Sequence, residues 1–87
     1  DDGLAALREA VALDPQNPTA HQFTGIAYNR KRDYKAAAAA FRRSAELDPD
    51  QPRAHYFLGM ALVNAGEPAA AVAPLEEATR RDPDQPY

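Results

Sequence analysis

The chain has no cysteine and no tryptophan, one methionine, one serine (Ser44) and two histidines among its 87 residues. Without cysteine there is no disulfide, no thiolate nucleophile and no cysteine-based zinc site, and the compartment stays open. No uninterrupted apolar run approaches the roughly 20 residues that a membrane-spanning helix needs. Positive charge is not in excess: the net charge is −3, which offers no broad field to nucleic acid or anionic lipid. Neither a nucleic acid nor a membrane is therefore expected as a partner. Alternation of the kind that marks a half-buried strand is missing throughout. A chain this short buries only about 60–65% of its unfolded surface, so the core must be modest. The first residue is Asp1 rather than Met, and the motif that recurs along the chain restarts at Asp82 just before the end. Both suggest a segment of a longer protein.

What the chain does have is proline at regular places. Asp14-Pro15-Gln16-Asn17-Pro18 is followed 34 residues later by Asp48-Pro49-Asp50-Gln51-Pro52, and Asp82-Pro83-Asp84-Gln85-Pro86 opens the same way. A fixed period of this size signals stacked repeats. Residues 14–47 laid over 48–81 agree at Asp14/Asp48, Pro15/Pro49, Pro18/Pro52, Ala20/Ala54, His21/His55, Phe23/Phe57, Gly25/Gly59, Ala27/Ala61, Ala36/Ala70, Ala37/Ala71 and Ala39/Ala73. Alanine richness alone would not keep prolines, glycines and histidines in register.

Between the prolines the pattern is helical. Leu4, Leu7, Ala10 and Val11 recur at i, i+3, i+6 and i+7, predicting a helix over residues 3–13 that Asp14-Pro15 stops. Asn17 is placed to cap a second helix beginning at Pro18 and running to about Lys31, with His21, Thr24, Gly25 and Tyr28 on one packed face. Asp33 is placed to cap a third, Tyr34 to Leu47, built on the alanines 36–40 and anchored by Tyr34, Phe41 and Leu47. A fourth runs from Pro52 to about Ala65, closed by Gly66 at its C′ position; a fifth runs from Pro68 to Arg81, with Pro74 inside expected to bend it. Gly25 with Ala37, and Gly59 with Ala71, are expected where the two helices of a unit cross. Ala20, Phe23 and Ala27, and their counterparts Ala54, Phe57 and Ala61, are expected to pack on the preceding unit.

With its large residue at His21, Thr24-Gly25, Tyr28, Ala37-x-x-x-Phe41 and Pro49, then His55, Leu58-Gly59, Leu62, Ala71-x-x-x-Leu75 and Pro83, the chain resembles the tetratricopeptide repeat family. The resemblance covers essentially the whole chain. It implies an all-α fold, an α-solenoid of antiparallel helix pairs with about two and a half 34-residue repeats in five helices. As domain organisation it implies a single unit over 1–87, divided into a half repeat 1–17, a repeat 18–51 and a repeat 52–85. Histidine stands where the family carries Trp, Thr24 where it carries Leu, and Gly3 in a small-residue slot usually filled by Ala. Thr24 and Gly3 are expected to weaken their units slightly.

Residues suited to chemistry are few, and each has a structural explanation. Ser44 falls on a position the pattern reserves for a small packed residue. His21 and His55 share one slot, one repeat apart, as packing residues would, and no His-x-x-x-His spacing accompanies them. Glu76 and Glu77 are adjacent, so they point to different sides of a helix. Arg30-Lys31-Arg32, Arg42-Arg43 and Arg80-Arg81 are short clusters offset by acids and read as solvated faces and helix C-terminal charges. No metal, cofactor or catalytic site is expected.

The family resemblance instead implies a concave groove lined by the first helix of each repeat, which receives a peptide or helix of a partner protein. Its groove positions carry over to Thr19, Gln22, Ile26, Asn29 and Arg30 in one repeat, and to Arg53, Tyr56, Met60, Val63 and Asn64 in the next. Ile26, Tyr56, Met60 and Val63 are apolar and are expected to be spare from internal packing, a suitable adaptable patch. Members that clamp an acidic C-terminal carboxylate use Lys and Asn at positions held here by Gln22 and Ile26, and an Arg where Phe57 stands; only Arg53 is suitably basic. The expected function is a non-enzymatic interaction scaffold. Two alternatives stand beside it: self-association into a homo-oligomer through the open faces of Leu4, Leu7 and Val11 and of the last helix, and an accessory segment of a larger enzyme.

Overall fold

A computed structural model describes residues 3–81, with the side chain of Pro52 excepted. Its described residues form five helices: α1 (Leu4–Leu13), α2 (Pro18–Arg30), α3 (Tyr34–Leu47), α4 (Pro52–Asn64) and α5 (Pro68–Arg81). The helices pack in chain order, α1 on α2, α2 on α3, α3 on α4 and α4 on α5. This is the all-α solenoid anticipated from the repeat. The recurring opening at 82–86 lies outside the described residues.

The joints between units are copies of one another. At the first, the Asn17 N–H donates to the Asp14 carbonyl at 3.1 Å; at the second, the Gln51 N–H donates to the Asp48 carbonyl at 3.2 Å. Asn17 accepts from the N–H groups of Thr19 (2.9 Å) and Ala20 (3.3 Å), which satisfies two otherwise orphaned donors of α2. Gln51 makes no such cap on α4. Asp33 caps α3 through Ala36 N–H at 3.4 Å.

The reversals within the units match as closely. Glu67 N–H donates to Leu62 O and Gly66 N–H to Val63 O; thirty-four residues earlier Asp33 N–H donates to Tyr28 O and Arg32 N–H to Asn29 O. Both are the paired closure that needs a left-handed residue at C′. Gly66 supplies it at φ 85°, but the first unit uses Arg32 at φ 64°. The Arg-Lys-Arg-Asp turn thus holds a strained residue that its charge pattern does not reveal. A side chain in the left-handed region costs about 1–2 kcal/mol, against about 0.4–1 kcal/mol of extra unfolded-state freedom brought by glycine. Arg32→Gly should therefore stabilise the chain by about 0.5–1 kcal/mol in urea unfolding, and a lower midpoint would show the turn is not strained.

One expectation needs correction. Gly3 is not the first residue of α1 in a packed slot; it lies outside the helix at φ 80°, exposed, with nothing within 4 Å of where its Cβ would be. The equivalent Ala37 and Ala71 sit inside α3 and α5 and are fully covered. At the crossings within the units, the nearest side chain to Gly25 is the Phe41 ring, 2.6–2.9 Å from a built Cβ, and the nearest to Gly59 is Leu75, at 2.5 Å. A large side chain thus fills the space that each glycine leaves.

The core runs through Ala37, Ala38, Phe41, Leu58, Ala61, Leu62 and Ala71, with Ile26, Tyr28, Phe57 and Leu75 packed against it. Phe41 and Phe57 stack across the α3–α4 boundary with ring centroids 5.3 Å apart and planes at 27°. α5 stays helical through Pro74.

Candidate functional site

The polar groups that could have carried chemistry are occupied by the fold. Ser44 is fully buried; its hydroxyl donates to the Pro18 carbonyl at 2.9 Å and lies 3.4 Å from Gln51 Oε1, fastening the two ends of a unit. The ring Nε2 of His21 lies 2.9 Å from the Pro15 carbonyl oxygen, and that of His55 lies 2.9 Å from the Pro49 carbonyl oxygen. Each histidine, in its Nε2–H tautomer, donates to the joint preceding its helix, which explains a polar ring in an aromatic slot. Thr24, buried, donates its hydroxyl to the Ala20 carbonyl at 2.8 Å and so meets the demand that burial makes.

The Arg80-Arg81 cluster is also engaged. Arg81 reaches Glu77 at 2.5 Å on its own helix and Asp50 at 2.8 Å on the preceding joint, while Arg80 also bonds Glu77. The Arg81 hydrogen bond, with some help from the charges of Arg80 and Arg81, holds the Glu77 carboxyl below its ordinary value against an opposing push from desolvation. A depressed carboxylate contributes stability above the ordinary range and loses it as pH falls through the folded value; at this solvent-exposed cluster, screening keeps the contribution small. Glu76 points elsewhere, onto the outer face of α5 with Val72, Leu75, Thr79 and Arg80.

The predicted groove residues divide by environment. On α2, Thr19, Asn29 and Arg30 are exposed and Gln22 is half-buried; Ile26 packs against the core and is not spare. Arg53, Met60, Val63 and Asn64 on α4 are exposed. Tyr56 is half-buried, its ring centroid 5.9 Å from that of Phe57. Tyr56, Met60 and Val63 stand at i, i+4 and i+7, one stripe along α4, with Met60 37% and Val63 40% exposed. Phe57 turns instead into the stack with Phe41.

Two apolar openings extend beyond the predicted residues, the first of them sharing Ile26 and Arg30 with the predicted groove. A cleft of about 680 Å³ between α1 and α2 is lined by Leu7, Phe23, Ile26, Ala27, Arg30 and Lys31. Phe23, expected to pack on the preceding unit, is 52% exposed there. A second cavity of about 580 Å³ runs along the outer face of α5, where Val72 is 53% exposed. The repeat held the signal for the first: Phe57, one period after Phe23, is half-buried because α3 brings Phe41 to it, whereas α1 brings Leu7.

A family model described as "Tetratricopeptide repeat" matches residues 1–52 and, overlapping, residues 30–86. No curated protein matches the chain. Among solved structures, the chain is similar to "Crystal structure of MamA", with a TM-score of 0.87 and 26% identity over 92% of this chain and 47% of that one. It is also similar to "MamA MSR-1 C2", with a TM-score of 0.84 and 25% identity over 95% of this chain and 48% of that one. Against "Crystal structure of MamA protein" the TM-score is 0.83 at 24% identity, over 92% and 44%, a likeness of fold alone. The chain spans about half the length of these solved relatives.

Proposed function

The chain belongs to the tetratricopeptide repeat family, whose repeats mediate protein–protein interaction and are generally non-enzymatic, and from that premise we propose that α4 presents the contact surface for a partner protein. The observation that supports this is the stripe of Tyr56, Met60 and Val63, two of its three members exposed although large and apolar. Arg53 and Asn64 stand at its ends, and Gln22, Asn29 and Arg30 are the polar contribution of α2. A flexible thioether beside an aromatic ring adapts to an apolar partner side chain, and the polar margin fixes its orientation.

The ligand this surface suits is a mixed apolar and polar segment, not an acidic C-terminus. Gln22 and Ile26 offer no cation, and Phe57 is committed to its stack with Phe41.

The reading is tested with peptides selected from a displayed random library on the unaltered chain. Tyr56→Ala with Met60→Ala should weaken their binding on the order of tenfold or more by fluorescence anisotropy, with far-UV circular dichroism unchanged. Equal affinity for the double variant would remove α4 from the binding surface. Strong, salt-sensitive binding to peptides ending in an acidic carboxylate would contradict the stated ligand preference.

A further inference from the structure

α3 is the back helix of its unit and packs between two front helices, its own α2 and the following α4. With both in place it leaves Lys35, Ala39, Arg42 and Glu46 exposed at i, i+4, i+7 and i+11, one outer ridge along the helix. Arg32, exposed in the turn just before α3, adds a third cation close to the Lys35 end. The acids nearby are engaged: Asp33 caps α3 through the Ala36 N–H, and Glu46 pairs with Arg43. Among the described residues no ion pair reaches Arg32, Lys35 or Arg42.

The next unit shows that the fold does not require these cations. One period on, the same positions hold Gly66, Ala69 and Glu76. The turn there closes with the same pair of hydrogen bonds, and α5 has 14 residues as α3 does. Two of the three cations also stand against local preference. Arg32 occupies the left-handed position at φ 64°, and Lys35 lies in the first turn of α3, where the helix dipole disfavours positive charge. Charge is thus concentrated on one unit without serving its turn or its helix.

We propose that the outer ridge of α3 docks an extended acidic segment of a partner protein, at a place separate from the α4 stripe. Lys35 and Arg42 are seven residues apart on one helix, about 10 Å along its axis. A polyproline II segment rises about 3.1 Å per residue with three residues per turn, so acids three apart share one side at about 9 Å. Such a segment sets one carboxylate on Lys35 and the next on Arg42, whose planar fork takes it through two N–H groups. Ala39 between them adds no bulk to hold the segment off, and Arg32 meets a third carboxylate beyond Lys35. Three cations on so short a ridge, in a chain of net charge −3, suit a few carboxylates and not a phosphodiester track or a lipid surface.

Fluorescence anisotropy with a labelled, C-terminally amidated peptide carrying Glu at every third position, with Pro and Ser between, tests this. The unaltered chain should bind it at low ionic strength, release much of it at physiological ionic strength, and ignore the counterpart with Gln for Glu. The variant Arg32→Gly, Lys35→Ala, Arg42→Glu takes the residues that the next unit carries, so its helicity should be unchanged. It should bind about tenfold more weakly. Lys35→Gln with Arg42→Gln, which leaves the turn untouched, should show a smaller loss in the same direction. The proposal falls if the unaltered chain does not bind at low ionic strength, if the Gln peptide binds equally, or if both variants keep full affinity. It also falls if a single-stranded oligonucleotide or an anionic lipid vesicle displaces the peptide more effectively than the unlabelled peptide does. Tyr56→Ala with Met60→Ala should bind the acidic peptide as the unaltered chain does; loss of binding there would place the segment on α4 and overturn the ridge.

Discussion

Phe41→Ala should lower the unfolding free energy by about 3–5 kcal/mol, a large part of the stability of a domain this size. The ring is 2% exposed, stacks on Phe57, and fills the space in front of Gly25. It therefore joins α3 to the front helix of its own unit and to the front helix of the next. Truncation opens a cavity at both contacts, and glycine has no side chain with which to fill it. Urea unfolding followed by circular dichroism measures the loss. A change below about 1 kcal/mol would mean that α2 and α4 close over the gap.

Gly25→Val has an effect of similar size and opposite cause. Its Cβ alone would lie 2.6–2.9 Å from three carbons of the Phe41 ring, and that ring cannot retreat because Phe57 stacks on it. Overpacking costs about 1–3 kcal/mol for modest insertions, and two further methyl groups place valine at or above the upper figure. Helix propensity favours alanine over glycine by about 1 kcal/mol, so Gly25→Ala should lose less, about 0–2 kcal/mol. The decisive measurement is the cycle with Phe41→Ala. Once the ring is gone the obstacle is gone, and Gly25→Ala should become neutral or stabilising in that background. An unchanged penalty in the double variant would show that something other than the ring opposes the new methyl group.

These two residues also show how far the sequence can be read. Gly25 and Phe41 were each recognisable as repeat positions, and the helix limits followed from the prolines, Asn17, Asp33 and Gly66, because caps and stops are local chemistry. Which side chain faces which glycine is not local. Ala37 and Phe41 lie one turn apart on the same helix, and only the depth and angle of the crossing decides that the ring meets the glycine. Arg32 was hidden for a related reason: a left-handed backbone is readable when glycine supplies it, as at Gly66, and unreadable when the closing hydrogen bonds force it on arginine.

The candidate surface divides in the same way. Spacing put Tyr56, Met60 and Val63 on one stripe, and exposure agrees with that for Met60 and Val63. Ile26 had the same spacing on α2 but packs, half-buried, against the core, because a neighbouring apolar cluster lies within its reach. Phe23 and Val72 depend on what stands next to their helices, and the interior repeat offered the only guide to what would.

The hydrogen bonds from His21 to Pro15 and from His55 to Pro49 have a consequence for the shape of longer arrays. Each is 2.9 Å long and spans six residues, so each joint is fastened in part by groups from its own stretch of chain. Part of the geometry between units is thus written locally, once per repeat. A change at one joint leaves the geometry of every other joint intact, yet it swings the whole of the array beyond it, as a bend in a rod redirects everything past the bend.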